Sequence, residues 1–156
     1  MSYVSSVLRE GETVTHQGKI HWIVFLRSIV FLILALLVLL FTNTGPLATS
    51  EFSLAGKIVA GLLALTAIWF GAHAFIVWWS TELVTTNQRC IVKVGFIRRH
   101  TWEINAGKVE GVEVSQTILG RILDYGTILV KGTGSGSAPV RFVRAPVAFR
   151  NAVMVL

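Results

Sequence analysis

Two stretches of the chain are almost entirely apolar, and the sequence after them alternates. Ile23 to Phe41 is broken only by Arg27 and Ser28. With Ile20 and Trp22 the run comes to about 20 residues, which at 1.5 Å each cross about 30 Å of hydrocarbon. Arg27 falls in the second turn, shallow enough for its guanidinium to reach headgroups. The run exceeds the apolar region of a signal peptide and Ala48 is a poor cleavage position, so a retained helix over about 22–41 is expected. Thr42 to Ser53 contains Gly45-Pro46 and reads as part of an outer loop, 42–57. Ile58 to Trp79 is a second apolar run and predicts a second helix. At its start and along it, Gly56, Ala60, Ala64, Ala67 and Gly71 form a small-residue stripe at helical spacing, which lets helix backbones approach closely in lipid. Such a stripe serves packing within this chain's own hairpin or packing against another subunit.

From Thr81 the pattern becomes short alternating runs punctuated by turn residues. Glu82–Thr85 reads as a strand, Thr86-Asn87-Gln88 as a turn, and Arg89–Lys93 as a second strand leading to a hairpin turn at Gly95. Ile97–Ile104 predicts the third strand, and Val109, Val112 and Val114 the fourth, with Gly111 marking a bulge. Thr117–Asp124 has helical spacing and predicts one short turn of helix. Tyr125–Lys131 returns to strand, Thr133–Ser137 reads as a Gly/Ser loop, and Val140–Val143 as the last strand. Pro146 then opens an amphipathic helix carrying Val147, Phe149, Ala152 and Val153. Antiparallel strands followed by one helix suggest a small barrel or sandwich with a helical cap.

Charge divides the chain in the same place. Hydrophobic residues make up 53% and charged ones 14%. Between Trp22 and Trp79 only Arg27, Glu51 and Lys57 are charged, while ten of the fourteen Lys and Arg follow Ser80. Arg9, Lys19 and Arg27 flank the first helix, and Arg89, Lys93, Arg98 and Arg99 follow the second, against Lys57 alone in the loop. By the positive-inside rule both termini are expected in the cytoplasm, as a two-span protein of a bacterial inner membrane. Trp22 and Trp78-Trp79 fit an aromatic belt on that face. Residues 1–21 then form a cytoplasmic segment, 22–79 the hairpin and 80–156 a cytoplasmic domain. A basic domain held there is drawn to anionic headgroups, a nearer polyanion than nucleic acid.

Several segments resemble a known family, the small bacterial membrane proteins with two transmembrane helices and a pleckstrin-homology-like (PH) domain. They are Gly11-Glu12, His21-Trp22, Thr85–Arg89, Lys108-Val-Glu110, Val112–Gln116, Leu119–Ile122, Tyr125-Gly-Thr127, Gly132-Thr-Gly134 and Pro146–Phe149. The resemblance implies a membrane α-helical hairpin plus an all-β PH-like barrel of about seven antiparallel strands, strongly bent and closed by a C-terminal helix. It implies no particular activity. The capping helix has room for only about ten residues before Leu156, so it is short or completes its packing with a neighbour.

No elbow motif, HExxH or metal-spaced cluster stands in the alternating half, and Glu110 and Glu113 would face opposite sides of a strand. An enzyme is therefore not expected, nor a cofactor or metal. Cys90, the single cysteine, reads as a core residue and forbids an internal disulfide. Gly132–Gly136 lacks the Lys-Ser/Thr of a phosphate-binding loop and reads as a flexible hairpin. His73 lies within the second helix and reads as a hydrogen-bonded helix residue, the alternative being a haem or metal ligand. Gly120-Arg121 and Tyr125-Gly126 surround a tight connection, with the glycines there for positive φ and Arg121 paired with Glu110 or Glu113. The function expected is a non-enzymatic, membrane-anchored binding or scaffold protein that engages a protein partner or anionic lipid and forms an oligomer. Arg98 and Arg99, and then Arg121, are the candidate contacts. The rivals are an accessory subunit recognised through its helices and, behind it, a channel or transporter protomer using His73 and Arg27.

Overall fold

The computed structural model describes residues 7–44, 52–96, 99–133 and 136–155. The chain divides into two compact units, residues 22–75 and residues 1–21 together with 76–156.

In the first unit, a one-turn 3-10 helix (Trp22–Phe25) leads into α1 (Leu26–Thr44), and α2 spans Phe52–Ser80. Both helices run beyond the apolar runs. Thr42 and Asn43 bond back to the carbonyls of Val38 and Leu39, and Thr44 to that of Leu40. Polar side chains thus complete the last turn of α1. Ala35 and Thr42 are buried seven residues apart on α1, as are Ala60, Ala67 and Ala74 on α2, the spacing of two helices packed along a seam. The Ser28 hydroxyl donates to the Ala67 carbonyl at 2.7 Å. A Cβ at Gly71 would lie 2.9 Å from the Ser28 oxygen, and one at Gly56 would collide with the Thr42 methyl. Phe31 stacks on Phe70 with ring centres 5.5 Å apart. Ala64 is half-buried. The outward sides carry exposed Leu32, Leu36, Leu40, Leu54, Leu62 and Ile68, and both helices are long and apolar enough to cross a membrane.

The second unit holds two antiparallel sheets. The first has the order β1 (Val14–Gly18), β2 (Glu82–Thr86), β3 (Arg89–Val94), β4 (His100–Asn105); the second has β5 (Val109–Ser115), β6 (Tyr125–Gly132), β7 (Gly136–Arg144). The seventh strand of the fold is thus β1, from the segment ahead of the helices, where no strand was read. The third strand, read as Ile97–Ile104, begins at His100, with Ile97 and Arg98 outside the described residues. β7 starts at Gly136, well before Val140, so Gly136 and Ser137 of the Gly/Ser stretch join the ladder, opposite Gly132 and Lys131. A register shift between Val109 and Gly111 confirms the bulge, and Gly95 turns its hairpin at φ +98°.

The sheets do not close into a barrel. They join at one isolated bridge, Ile20 to Val143, flanked by His21 N–H to Phe142 carbonyl (2.6 Å) and Arg144 N–H to Lys19 carbonyl (2.8 Å). Short helix α3 (Ile118–Ile122) lies between β5 and β6, capped by the Thr117 hydroxyl, which accepts from Gly120 N–H at 3.0 Å. The cap, α4 (Pro146–Met154), packs on β1, β5 and β6 and so spans both sheets. Its Phe149 is fully buried, edge-on to His16 at 5.9 Å. A Cβ at Gly18 would lie 2.9 Å from the Phe149 ring, which fixes glycine at the end of β1.

A buried ion pair ties β1 to this core. Glu12 Oε2 accepts from Arg89 Nη2 (2.8 Å) and Oε1 from Arg89 Nε (2.8 Å), a two-pronged contact. Glu12 also accepts from the Thr86 hydroxyl (2.7 Å) and from Arg9 N–H (2.9 Å). Arg89 also donates to Glu103 (2.6 Å) and to the Val7 carbonyl (2.9 Å). The Arg89 hydrogen bonds hold the Glu12 carboxyl down to about 2 although burial opposes the charge.

Two predictions follow from these contacts. Removing one partner of a buried pair costs about 3–5 kcal/mol, so Arg89→Met should lower the thermal stability of the detergent-solubilised chain far more than Glu103→Gln, since Glu103 is partly exposed. Because the folded carboxyl titrates below its unfolded value of 4.5, its stabilisation is complete above pH 4.5 and is lost as pH falls toward about 2. Melting curves across that window should flatten in Glu12→Gln; an unchanged acid slope would show that other groups control it. In the hairpin, Gly56→Ala should destabilise by about 1–3 kcal/mol, whereas Gly61→Ala, with nothing within 4 Å, should be neutral. Equal effects in a denaturant titration would contradict the packing described.

Candidate functional site

A concavity in the sheet unit lies where the chain leaves and re-enters it. Gln17–Ile20 form one wall, Trp78–Glu82 a second, and Lys93, Gly95, Phe96 and Arg99 of the β3–β4 hairpin a third, enclosing an open cleft of about 640 Å³. Strand pairing builds it: Gly18 lies opposite Leu83, and Glu82 opposite Lys93. The floor is aromatic, with Trp79 stacked on Phe96 at 6.1 Å. Three cationic side chains, Lys19, Lys93 and Arg99, stand around it against one carboxylate. That carboxylate, Glu82, is held by Lys93 at 3.2 Å. Ser80 adds a buried hydroxyl with no hydrogen-bond partner among the described residues. Such a group is uncommon in a folded interior and suits an acceptor arriving from outside. Positive charge over an aromatic floor recognises an anion carried on an apolar body.

Just beyond the cleft, the junction residue His21 is buried and stacks on Tyr125 at 5.4 Å. Burial, then the positive charge of Arg144, keeps its imidazole below the ordinary histidine value, so it is neutral at pH 7. Cys90 is fully buried, and burial pushes its thiol up to about 12, which removes it as a nucleophile. Among the described residues no three His, Cys, Asp or Glu gather as a metal site, and His73 stands on an exposed face of α2.

A model of the bacterial PH domain matches residues 21–152. The chain belongs to the bacterial PH domain family. No curated protein and no solved structure matches it.

Within this PH domain the residues singled out from sequence fall in different places. Arg98 lies outside the described residues. Arg99 is exposed and lines the cleft. Arg121 is not in the cleft; it is exposed on α3, in the other sheet's connection. It does not pair with Glu110 or Glu113 among the described residues, because Glu113 is taken by Lys131 at 3.0 Å across β5 and β6. Neither Gly120 nor Gly126 has positive φ, a role taken by Asp124 at +53°. These glycines are there for space: a Cβ on Gly120 would lie 2.6 Å from the Tyr125 carbonyl, and one on Gly126 2.8 Å from the Ser115 carbonyl. Gln116 closes the same corner, donating to the carbonyls of Gly120 and Tyr125, each at 3.2 Å.

Sequence reasoning missed Lys19, Lys93 and Ser80 as site residues. The available signal was position: Lys19 stands three residues before Trp22, where the helical unit begins, and Ser80 ends α2, so residues bracketing those junctions share one end of the domain once β1 and β2 pair. The small-residue stripe, by contrast, is turned toward α1 at Gly56, Ala67 and Gly71, as packing within this chain's own hairpin requires.

Proposed function

We propose that this is a non-enzymatic, membrane-anchored PH-domain protein that binds an anionic phospholipid headgroup in the cleft lined by Lys19, Lys93 and Arg99. The two apolar helices span a bacterial inner membrane with both termini in the cytoplasm, as the excess of Lys and Arg at that side favours. The observation that carries the reading is the position of the cleft. Its walls, Gln17–Ile20 and Trp78–Glu82, are the segments through which the chain passes between the sheets and the apolar helices. A site there opens at headgroup level, and Trp78 and Trp79 are residue types that settle at that depth. Ser80 offers a neutral donor for a phosphate oxygen beside the cations.

The test uses the full chain in a neutral detergent at low salt, titrated with dihexanoyl phosphatidic acid and, separately, with dihexanoyl phosphatidylcholine, following tryptophan fluorescence. Phosphatidic acid should saturate and phosphatidylcholine should not. At about 1 kcal/mol per basic residue near an anionic surface, Lys19→Ala with Arg99→Ala should weaken the anionic lipid roughly 30-fold. Equal response to both lipids, or an unchanged affinity in the double variant, would sink the headgroup reading and leave a protein partner for the cleft.

A further inference from the structure

The connection between β5 and β6 exposes an unusual amount of apolar surface. Ile118, Leu119 and Ile122 are 81%, 61% and 73% exposed, and Leu123 follows at 38%. Four large aliphatic side chains within six residues, on a short helix that buries only Gly120, make a patch that a soluble surface seldom carries without a use. The segment is not a loose tip. Thr117 caps it, Gln116 hydrogen-bonds its end, and Gly120 packs against the Tyr125 carbonyl. These contacts anchor the segment while its aliphatic side chains face outward.

We propose that α3 is a membrane-surface anchor, with Ile118, Leu119 and Ile122 entering the headgroup–acyl boundary and Arg121 meeting lipid phosphates. What identifies the occupant is where the segment is tied. The His21 imidazole stacks on Tyr125 and hydrogen-bonds the Leu123 backbone, and the His21 N–H holds the Phe142 carbonyl. Leu123 follows Ile122 directly, and Trp22, the first residue of the apolar helix span, follows His21 directly. Two peptide bonds and one hydrogen bond thus separate the exposed patch from the start of that span. A protein partner would have to cover the patch in the layer that lipid headgroups already occupy. The composition also fits: aliphatic side chains with one arginine among them and no carboxylate from Gln116 to Leu123 match an interfacial segment facing anionic lipid. The inference rests on the reading that the two helices span the membrane, but does not depend on the cleft.

The experiment is depth-dependent quenching in the full chain reconstituted into phosphatidylcholine–phosphatidylglycerol vesicles. An environment-sensitive fluorophore is attached to Ile122→Cys, Leu36→Cys or Lys108→Cys; Cys90 is buried and stays unlabelled. Nitroxide is carried on the lipid either near the headgroup or deep in the acyl chain. The label at 122 should be blue-shifted and quenched several-fold more by shallow than by deep nitroxide, and far more than the label at 108, at the opposite end of the β5–β6 ladder. Quenching at 36 without quenching at 122 overturns the anchor while leaving the spanning helices intact. No quenching at 36 overturns the spanning reading, and the anchor with it. A label at 122 quenched as weakly as that at 108 also refutes the proposal, and assigns the patch to a protein.

Discussion

Glu12 and Arg89 are both almost completely buried, and burying two charges is costly unless each is paired and hydrogen-bonded. Here Thr86 and Arg9 add donors to the Glu12 carboxylate, and Glu103 and Val7 accept from Arg89, beyond the contacts between the two partners. Apolar pairs of similar volume are often no less stable than a buried ion pair, and what these charges add is a fixed register. They admit only one placement of residues 7–12 over the β2–β3 turn. Asn87 extends the same constraint, accepting from Thr13 N–H at 3.1 Å and donating to the Gly11 carbonyl. Once these residues are fixed, β1 can pair only as it does with β2. Its continuation then reaches Val143 at the second sheet, and the two sheets share a core under Phe149.

Much of this fold could be read from the sequence, because alternation and turn chemistry are local signals. Strands β2, β3, β5 and β6, the Thr117 turn of helix and the Pro146 helix all follow from residues within a few positions of one another. β1 could not be read that way. Val14–Gly18 carries His16 and Gln17 and has no clear alternation, and its partner β2 stands more than sixty residues later, beyond both apolar helices. The evidence for it lies in side chains far apart in sequence, Glu12 with Arg89 and Gly11 with Asn87. Those residues had been recognised as family motifs, but their mutual contact was not deducible from spacing. The glycines at 120 and 126 teach a similar lesson. A glycine in a tight connection suggests unusual φ, yet here the reason is a carbonyl oxygen where a Cβ would stand.

The candidate site was harder to read than the fold for a related reason. Arg99 was legible as an exposed basic residue on a hairpin, but a cleft is a property of three segments meeting. Lys19, Ser80 and Lys93 come from different sides of the helical hairpin in sequence, and only the pairing of β1 with β2 brings them to one end of the sheet. Arg121 was grouped with Arg99 because both are basic and lie in loops. The structure places them in connections of different sheets.

Anchoring changes what such a site must achieve. A cleft with three cations, one already engaged by a carboxylate, would bind a soluble anion weakly, since exposed charge pairs are worth little in water. On the proposed reading, in which the helices hold the cleft against a bilayer, headgroups would meet it at the effective concentration of a tethered ligand, and modest intrinsic affinity would be enough for occupancy. Under that condition selection acts on orientation more than on tightness. Within the sheet unit, the buried Glu12–Arg89 pair, the Ile20–Val143 bridge and the stacked His21–Tyr125 contact hold the walls of that cleft in place. A domain free to tumble on flexible linkers would need deep pockets to stay bound. With β1 held by Glu12 and Arg89, a shallow basic cleft suffices for the proposed binding.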